Sequence, residues 1–450
     1  MAIIQQIAFV LVLAVAAWLI RQRVVRIRAN IRLGRSVDRT DNTGDRWKTM
    51  LLVAFGQSKM FKRIIPAFFH FLIYAGFLII NLEVLEFVID GLAGTHRIFA
   101  PLLGGVYTVA LNFFEFLAVA VMLACVVFLI RRNVIKVERF TKPEMKGWPA
   151  MDGNLILITE IILMFAIFTM NATDQILQSR GAEHYPETGS FFFSGLLMPL
   201  FEGMSTGTLM VVERAAWWFH IIGILAFAVY VTYSKHLHIA LAFPNTYFSK
   251  LTAKGKMDNM EEVTREVKMM MGMPAEDGGE APAEVRTLGA KDVNDLTWMN
   301  IMNAYSCTEC GRCTSECPAN QTGKKLSPRK VMMDVRDRAE EVGAQIAAGQ
   351  EPFSDGKLLL SEEYISQEEI NACTSCNACV EACPVNINPL DIILQLRRYT
   401  ALEESSSPAS WNSMFSNIET NMAPWKFPPT DRFKWATEWK EKEEANAESN

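Results

Sequence analysis

The sequence predicts a mainly α protein: a five-helix transmembrane bundle, then an α-helical domain built around two cysteine repeats, then an extended tail. Three observations carry that prediction. Long apolar runs crowd the chain before about residue 243 and give way to a soluble composition after it. A cysteine run occurs twice near the C-terminal end. Around both copies apolar residues recur at helical spacing, with no good strand pattern.

The bundle occupies residues 1–243. A first span, residues 2–20, has no positive charge before it and Arg21, Arg23, Arg26 and Arg28 just after it. A cleaved signal has the opposite order, so this reads as a retained anchor with its N-terminus outside. The loop to residue 63 is basic and belongs inside, and Met50 to Phe55 within it is too short to cross. Spans at 64–89, 106–130 and 154–170 follow, with Arg131, Arg132, Lys136, Arg139, Lys142 and Lys146 marking a second inside loop. Phe191 to Met204 reads as a surface helix in a long outer loop, and a fifth span, 211–242, is stopped by Pro244. Five spans place the C-terminal half in the cytoplasm.

Residues 244–291 read as a linker, with a charged helical stretch carrying Met269, Met270, Met271 and Met273 and a flexible segment from Ala275 to Glu284. The cysteine domain covers 292–400, and Ser327-Pro328 opens a helix between the repeats. The tail, 401–450, spaces Trp411, Trp425, Trp435 and Trp439 through polar sequence, suited to a partner or to a strap over its own domain. Its last dozen residues read as disordered.

Cys307, Cys310, Cys313 and Cys317, then Cys373, Cys376, Cys379 and Cys383, both spell C-x-x-C-x-x-C-x-x-x-C-P. That is the run of two-cluster iron-sulfur proteins, in which the fourth cysteine serves the other cluster. One 4Fe-4S cluster is therefore expected on Cys307, Cys310, Cys313 and Cys383, and the other on Cys373, Cys376, Cys379 and Cys317. Structural zinc uses pairs of ligands and has no need of the third cysteine. Disulfides would need an oxidising compartment. The ninth cysteine, Cys125, sits in an apolar run as a small hydrophobe.

Of six histidines, three invite a haem reading. On one continuous helix His220 and His238 would share a face about five turns, or about 27 Å, apart. His236 would point elsewhere. His70 starts the second span from the same side on which the fifth ends, so His70 and His238 can flank a haem b, while hydrogen bonding to a neighbouring helix and a quinone pocket are the competing roles. His96 and His184 fall in outer loops and read as surface residues. Glu83, Glu86, Glu115 and Glu160 lie in or near spans and could relay protons to a quinone, while Glu83 and Glu86 are close enough to a helix end to be simply solvated.

Phe69-His70-Phe71, Phe219-His220-Ile221 and the stretch Ser234 to Ile239 resemble the five-helix b-haem subunit of respiratory nitrate reductase. The resemblance implies that His70 pairs with His238. It departs at the second haem, because Ile80 stands ten positions after His70 where that family has a histidine. The cysteine half, with Lys325-Leu326-Ser327-Pro328-Arg329, resembles the helical two-cluster ferredoxin of heterodisulfide reductase and succinate dehydrogenase iron-sulfur proteins. Together the two halves resemble the front of membrane oxidoreductases that pass electrons from electron-transferring flavoprotein to menaquinone. Those carry a further Cys-Cys-Gly domain, which implies a separate Cys-Cys-Gly iron-sulfur subunit as partner here.

The expectation is thus a bacterial inner-membrane electron-transfer subunit of a quinone-linked oxidoreductase, with two 4Fe-4S clusters, one haem b, a second haem left open at His220, and menaquinone as substrate. The competing reading is a haem-free membrane anchor whose ferredoxin half docks a soluble enzyme. A net charge of -5 suits neither a nucleic-acid binder nor an acidic-tail protein, so no nucleic-acid partner is expected.

Overall fold

The computed structural model describes residues 2–273 and 287–448. It is mainly helical, and among the described residues the only β pairing is two isolated bridges. Five helices are long and apolar enough to cross a membrane: Ala2–Ile31, Ile64–Ala93, Gly105–Asn133, Trp148–Ser179 and Thr206–Val231. The fourth packs along the third and fifth, the second along the third, and the first against the second and fifth. Phe9, Phe87, Ile167, Met170, Trp217 and Ile221 make one apolar core between them. Ile80, Leu117, Leu163 and Phe168 are part of a second. Helices meet closely where glycine permits it: a Cβ on Gly76 would lie 2.4 Å from Val121 Cγ2.

Four helices run past their expected ends. The first continues through its arginines, which are good helix formers. The fourth starts earlier, with Pro149 in its first turn, and ends later. Its extension buries Asn171, Thr173 and Asp174, polar residues that face other polar groups rather than lipid. The fifth is shorter than expected. It stops at Val231, and after a turn a tight 3-10 turn, Lys235–Leu237, leads into a separate helix, His238–Tyr247. The break has a local cause: the Asp152 carboxylate accepts from Ser234 Oγ at 2.6 Å, from Lys235 N at 3.2 Å and from the Tyr230 hydroxyl. Pro244 lies inside the new helix and does not end it. The expected surface helix at Phe191 to Met204 is instead one turn, Phe192–Gly195, followed by a 3-10 turn, Met198–Leu200.

In the cysteine domain short helices pack against the long helix Pro328–Ala347, which Ser327 caps and Pro328 opens as expected. Thr297 with Asn300 and Ser366 with Glu369 form reciprocal caps at the starts of two others.

The chain divides into two compact units, residues 1–258 with 291–393, and residues 259–290 with 394–450. The first therefore unites bundle and cysteine domain. Arg23 grips Glu340 through two bonds of 2.8 Å. Asn30 donates to the Tyr305 hydroxyl at 2.8 Å, and Arg35 pairs in backbone with Leu296 and Trp298. Gly34 and Gly343 leave no room for a side chain at this joint: a Cβ would stand 2.6 Å from Thr297 C and 2.0 Å from Asn30 Oδ1 respectively. Arg329, fully buried, donates to Glu144 at 2.7 Å.

The second unit holds the helices Glu261–Met270, Ala409–Asn421 and Lys434–Glu448. The tail is helical where an extended, finally disordered chain was expected, because its closing Lys, Glu and Ala residues favour helix. Its four tryptophans stay exposed, as do Met269, Met270, Met271 and Met273. The segment Ala275 to Glu284 lies outside the described residues.

Candidate metal centres

The duplicated motif is duplicated in conformation. Glu309 and Gly311 in the first copy, and Ser375 and Asn377 in the second, hold left-handed backbone at equivalent positions, with φ of 55°, 70°, 55° and 61°. Each first turn aims a backbone N–H at the opening sulfur: Glu309 N donates to Cys307 Sγ and Ser375 N to Cys373 Sγ, both at 3.4 Å. A third such bond runs from Ile387 N to Cys383 Sγ at 3.2 Å. N–H groups converging on sulfur stabilise thiolate.

None of the nine cysteines is in a disulfide. Cys317, Cys373, Cys376 and Cys379 line one small cavity. The thiol of Cys307 feels Cys310 and Cys383, and that of Cys313 feels Cys307, Cys310 and Cys383. The fourth cysteine of each motif thus stands with the first three of the other. Burial pushes the Cys307 and Cys379 thiols up to about 12 and Cys383 up to about 11. Thiolates at neutral pH therefore need a compensating positive charge, which bound iron provides. A cubane offers each thiolate its own iron, so its ligands surround a cavity, as Cys317, Cys373, Cys376 and Cys379 do.

His70 and His238 come together, with ring centroids 6.5 Å apart and planes 41° to each other. His238 donates from Nδ1 to the Lys235 carbonyl at 3.1 Å, which leaves Nε2 free for a metal. His70 Nδ1 is buried without a hydrogen-bond partner. Two metal–imidazole bonds of about 2 Å plus half a ring at each end sum to roughly 6 Å, so the pair fits one iron between them. His236 was expected to point elsewhere. It stands 5.5 Å from His238 and 5.6 Å from Phe227, because both histidines lie on the short turn and helix start rather than on one long helix.

The shared-face argument for His220 and His238 fails for the same reason. His220 is buried, donates from Nδ1 to the Leu163 carbonyl at 3.0 Å and packs its ring against Phe87. Its surroundings are those of a hydrogen-bonded core histidine.

The histidine pair is joined to the first cysteine group by a short polar path. Lys235, whose carbonyl holds His238, places Nζ 2.5 Å from Glu309 Oε2. Glu309 is also bound by Arg336 at 2.9 Å, and its own N–H holds Cys307. Sequence reading missed this link, although a lysine next to the histidines and a glutamate inside the cysteine motif were its visible signs.

It also misread the far end of the bundle. Glu83 and Glu86 are buried, not solvated, and His96 is largely buried rather than a surface residue. Arg97 donates to Asp174 at 2.5 Å, Asn171 at 2.8 Å and the Tyr107 hydroxyl at 3.2 Å, and Tyr107 donates to Glu86 at 2.7 Å. His96 bridges Asp174 and Arg214. The polar run from Asn171 to Gln178 at the end of an apolar span was the signal. His184 is exposed as expected.

Residues 306–387 match the family described as the 4Fe-4S dicluster domain. Over most of its length the chain is similar to longer proteins. It is 28% identical over 458 residues to the "Probable iron-sulfur-binding oxidoreductase FadF" of Bacillus subtilis, covering 96% of this chain and 60% of that one. It is 25% identical over 428 residues to the "EtfAB:quinone oxidoreductase" of Syntrophomonas wolfei, covering 89% and 55%. A "Probable membrane-anchored ferredoxin" of Chromohalobacter salexigens is 31% identical over 163 residues, 34% of this chain and 24% of that protein. The chain is thus similar to proteins named as iron-sulfur oxidoreductases. It spans somewhat more than half the length of the first two. No solved structure matches it significantly.

Proposed function

We propose that this chain is the membrane electron-transfer subunit of a quinone-linked oxidoreductase of the bacterial cytoplasmic membrane, with the cysteine domain on the cytoplasmic side. One 4Fe-4S cluster is assigned to Cys307, Cys310, Cys313 and Cys383, the other to Cys373, Cys376, Cys379 and Cys317. A haem b is assigned to His70 and His238, and none to His220. Bound there, clusters and haem supply one-electron carriers.

The chain's own contribution is placement. Its glycine joint and the Arg23–Glu340 clasp hold the cysteine domain against the bundle. Lys235 fixes the ring of His238 through its carbonyl and the cysteine loop through its ammonium. That double hold is the observation that carries the reading, since it ties the turn that orients His238 to the loop that carries Cys307. Menaquinone is the membrane acceptor or donor in this reading. A Cys-Cys-Gly iron-sulfur subunit and an electron-transferring flavoprotein are the soluble partners in this reading, and the name of one relative, the EtfAB:quinone oxidoreductase, supports the second.

Purified protein is expected to contain about eight irons from clusters, together with haem iron. A dithionite-reduced b-type absorbance is expected in the wild type and is lost in His70→Ala and His238→Ala but kept in His220→Ala. The haem-free anchor reading predicts no such absorbance in any of them.

A further inference from the structure

The two cysteine groups, read as above, sit in different electrostatic surroundings. Around the group of Cys307, Cys310, Cys313 and Cys383 stand three cations. Lys59 donates from Nζ to the Val380 carbonyl at 3.3 Å and to Asn386 Oδ1 at 3.1 Å, straddling Cys383, on which its charge acts. Arg312 lies inside the first motif, is buried, donates to the carbonyls of Lys59 and Met60 at 3.4 Å, and acts on Cys310 and Cys383. Arg139 passes over Gly311, where an added Cβ would be 3.2 Å from its own Cβ, and acts on Cys310.

Among the described residues none of these three forms an ion pair. The nearby carboxylates are already taken: Glu309 by Lys235 and Arg336, Glu316 by Arg63, Glu381 by Lys62 and Lys254. The positive charge is therefore not cancelled.

Among the described residues the cavity of the other group has no charged lining. Apart from its four cysteines, its cavity is lined by Leu326, Leu390, Ile393, two prolines, Thr374 and Asn377, none of them charged. Backbone N–H groups reach sulfur in both groups, on Cys307 and Cys383 in one and on Cys317, Cys373 and Cys379 in the other, so they do not set the first group above the second. Cys376, of this second group, is the one motif cysteine that is exposed.

A cluster gains a unit of negative charge when it takes an electron, with no proton required, and net charge around the cluster is one of the quantities that set its potential. Cations held in a partly buried site stabilise that reduced form more than exposed ones do. We propose that Lys59, Arg139 and Arg312 raise the reduction potential of the cluster on Cys307, Cys310, Cys313 and Cys383 above that of its neighbour. Two of the three come from loops of the bundle, so the bundle tunes the cluster that faces it. An electron given by a reduced flavin at the exposed Cys376 side then runs downhill to the first cluster and on toward His238. Two such passes, with two protons from solvent, reduce one quinone to quinol. This rests on the assignment of both clusters given above.

The experiment is an EPR-monitored redox titration of the purified, anaerobically prepared full chain. Cys317→Ser, which removes one ligand of the second cluster, assigns the signals: the one that survives is expected to be the higher-potential one. Lys59→Gln and Arg139→Gln are expected to lower that potential alone, so that at a fixed intermediate potential its reduced fraction falls several-fold while the other cluster's does not change. Lys59→Arg is expected to keep it. Survival of the lower-potential signal in Cys317→Ser, an unchanged titration in both Gln variants, or an equal shift of both clusters overturns the proposal while leaving the cluster assignment intact. Protein without iron overturns the assignment and the proposal together.

Discussion

Lys235 Nζ lies 2.5 Å from Glu309 Oε2, and both side chains are more than nine-tenths buried. The pair ties the turn before His238 to the loop that carries Cys307 and Cys310. Removing one partner of a buried pair leaves the other uncompensated and costs about 3–5 kcal/mol. Glu309 keeps Arg336 as a second partner, so Lys235→Met is expected near the lower end of that range. Thermal unfolding in detergent measures it. The same variant is expected to broaden or diminish the b-type absorbance, because the carbonyl that orients His238 loses its anchor. An unchanged melting temperature together with an unchanged spectrum would refute the role given to Lys235.

The crossed arrangement of the thiols makes a sharper forecast. Cys383 stands with Cys307 and Cys310, and Cys317 shares the cavity of Cys373, Cys376 and Cys379. Cys383→Ser is therefore expected to empty the site of the first motif, and Cys317→Ser that of the second. Each should reduce cluster iron from about eight to about four per chain. If each cysteine instead served its own motif, the EPR signals lost in the two variants would be exchanged. Iron analysis with EPR on C383S, C317S and C310S, the last fixing which signal belongs to the first motif, decides between the two.

Much of this was legible in the sequence, and the exceptions share a cause. Cysteine spacing is a local, chemically specific signal, and in the structure Cys383 stands with Cys307 and Cys310 while Cys317 shares the cavity of Cys373, Cys376 and Cys379. Helix existence was equally plain, since long apolar runs have few alternatives. What sequence periodicity cannot carry is the point at which a helix stops for tertiary reasons. Nothing in Val231 to His238 announces a break, and it exists because Asp152, some eighty positions earlier, takes three hydrogen bonds from that turn. Hence His236 was set aside and His220 was wrongly placed on one face with His238. Glu83, Glu86 and His96 were misjudged for a related reason: their partners Arg97, Asp174 and Tyr107 come from several elements, and only packing shows that they meet.

Stability should respond to pH through Asp334. It is bound by Lys330 at 2.8 Å, yet burial outweighs that attraction and pushes its carboxyl up to about 7. The folded chain then holds a proton that the unfolded chain has already released between roughly pH 4 and 7. The contribution is fully present below the ordinary carboxylate range and is lost as pH rises through about 7. From pH 6 to pH 8 the wild type is expected to lose on the order of 1 kcal/mol relative to Asp334→Asn. Parallel unfolding curves of the two proteins across that interval would contradict this.

The far end of the bundle offers the most severe test of a packing argument. Arg97 and Asp174 are both almost wholly buried, and Asp174 also holds His96. Burying an ion pair gains little over apolar side chains of the same size, but deleting half of it strands a charge away from water. Arg97→Met is accordingly expected to destabilise the protein by about 3–5 kcal/mol, and Asp174→Leu by a similar amount, since Arg97 would keep only Asn171 and Tyr107. The double variant should recover part of the loss, because neither charge is then left alone. Thermal unfolding of the three variants in detergent forms the double-mutant cycle. Strict additivity would mean that the two side chains do not depend on each other, and the buried pair would lose its place as the structural anchor of that end.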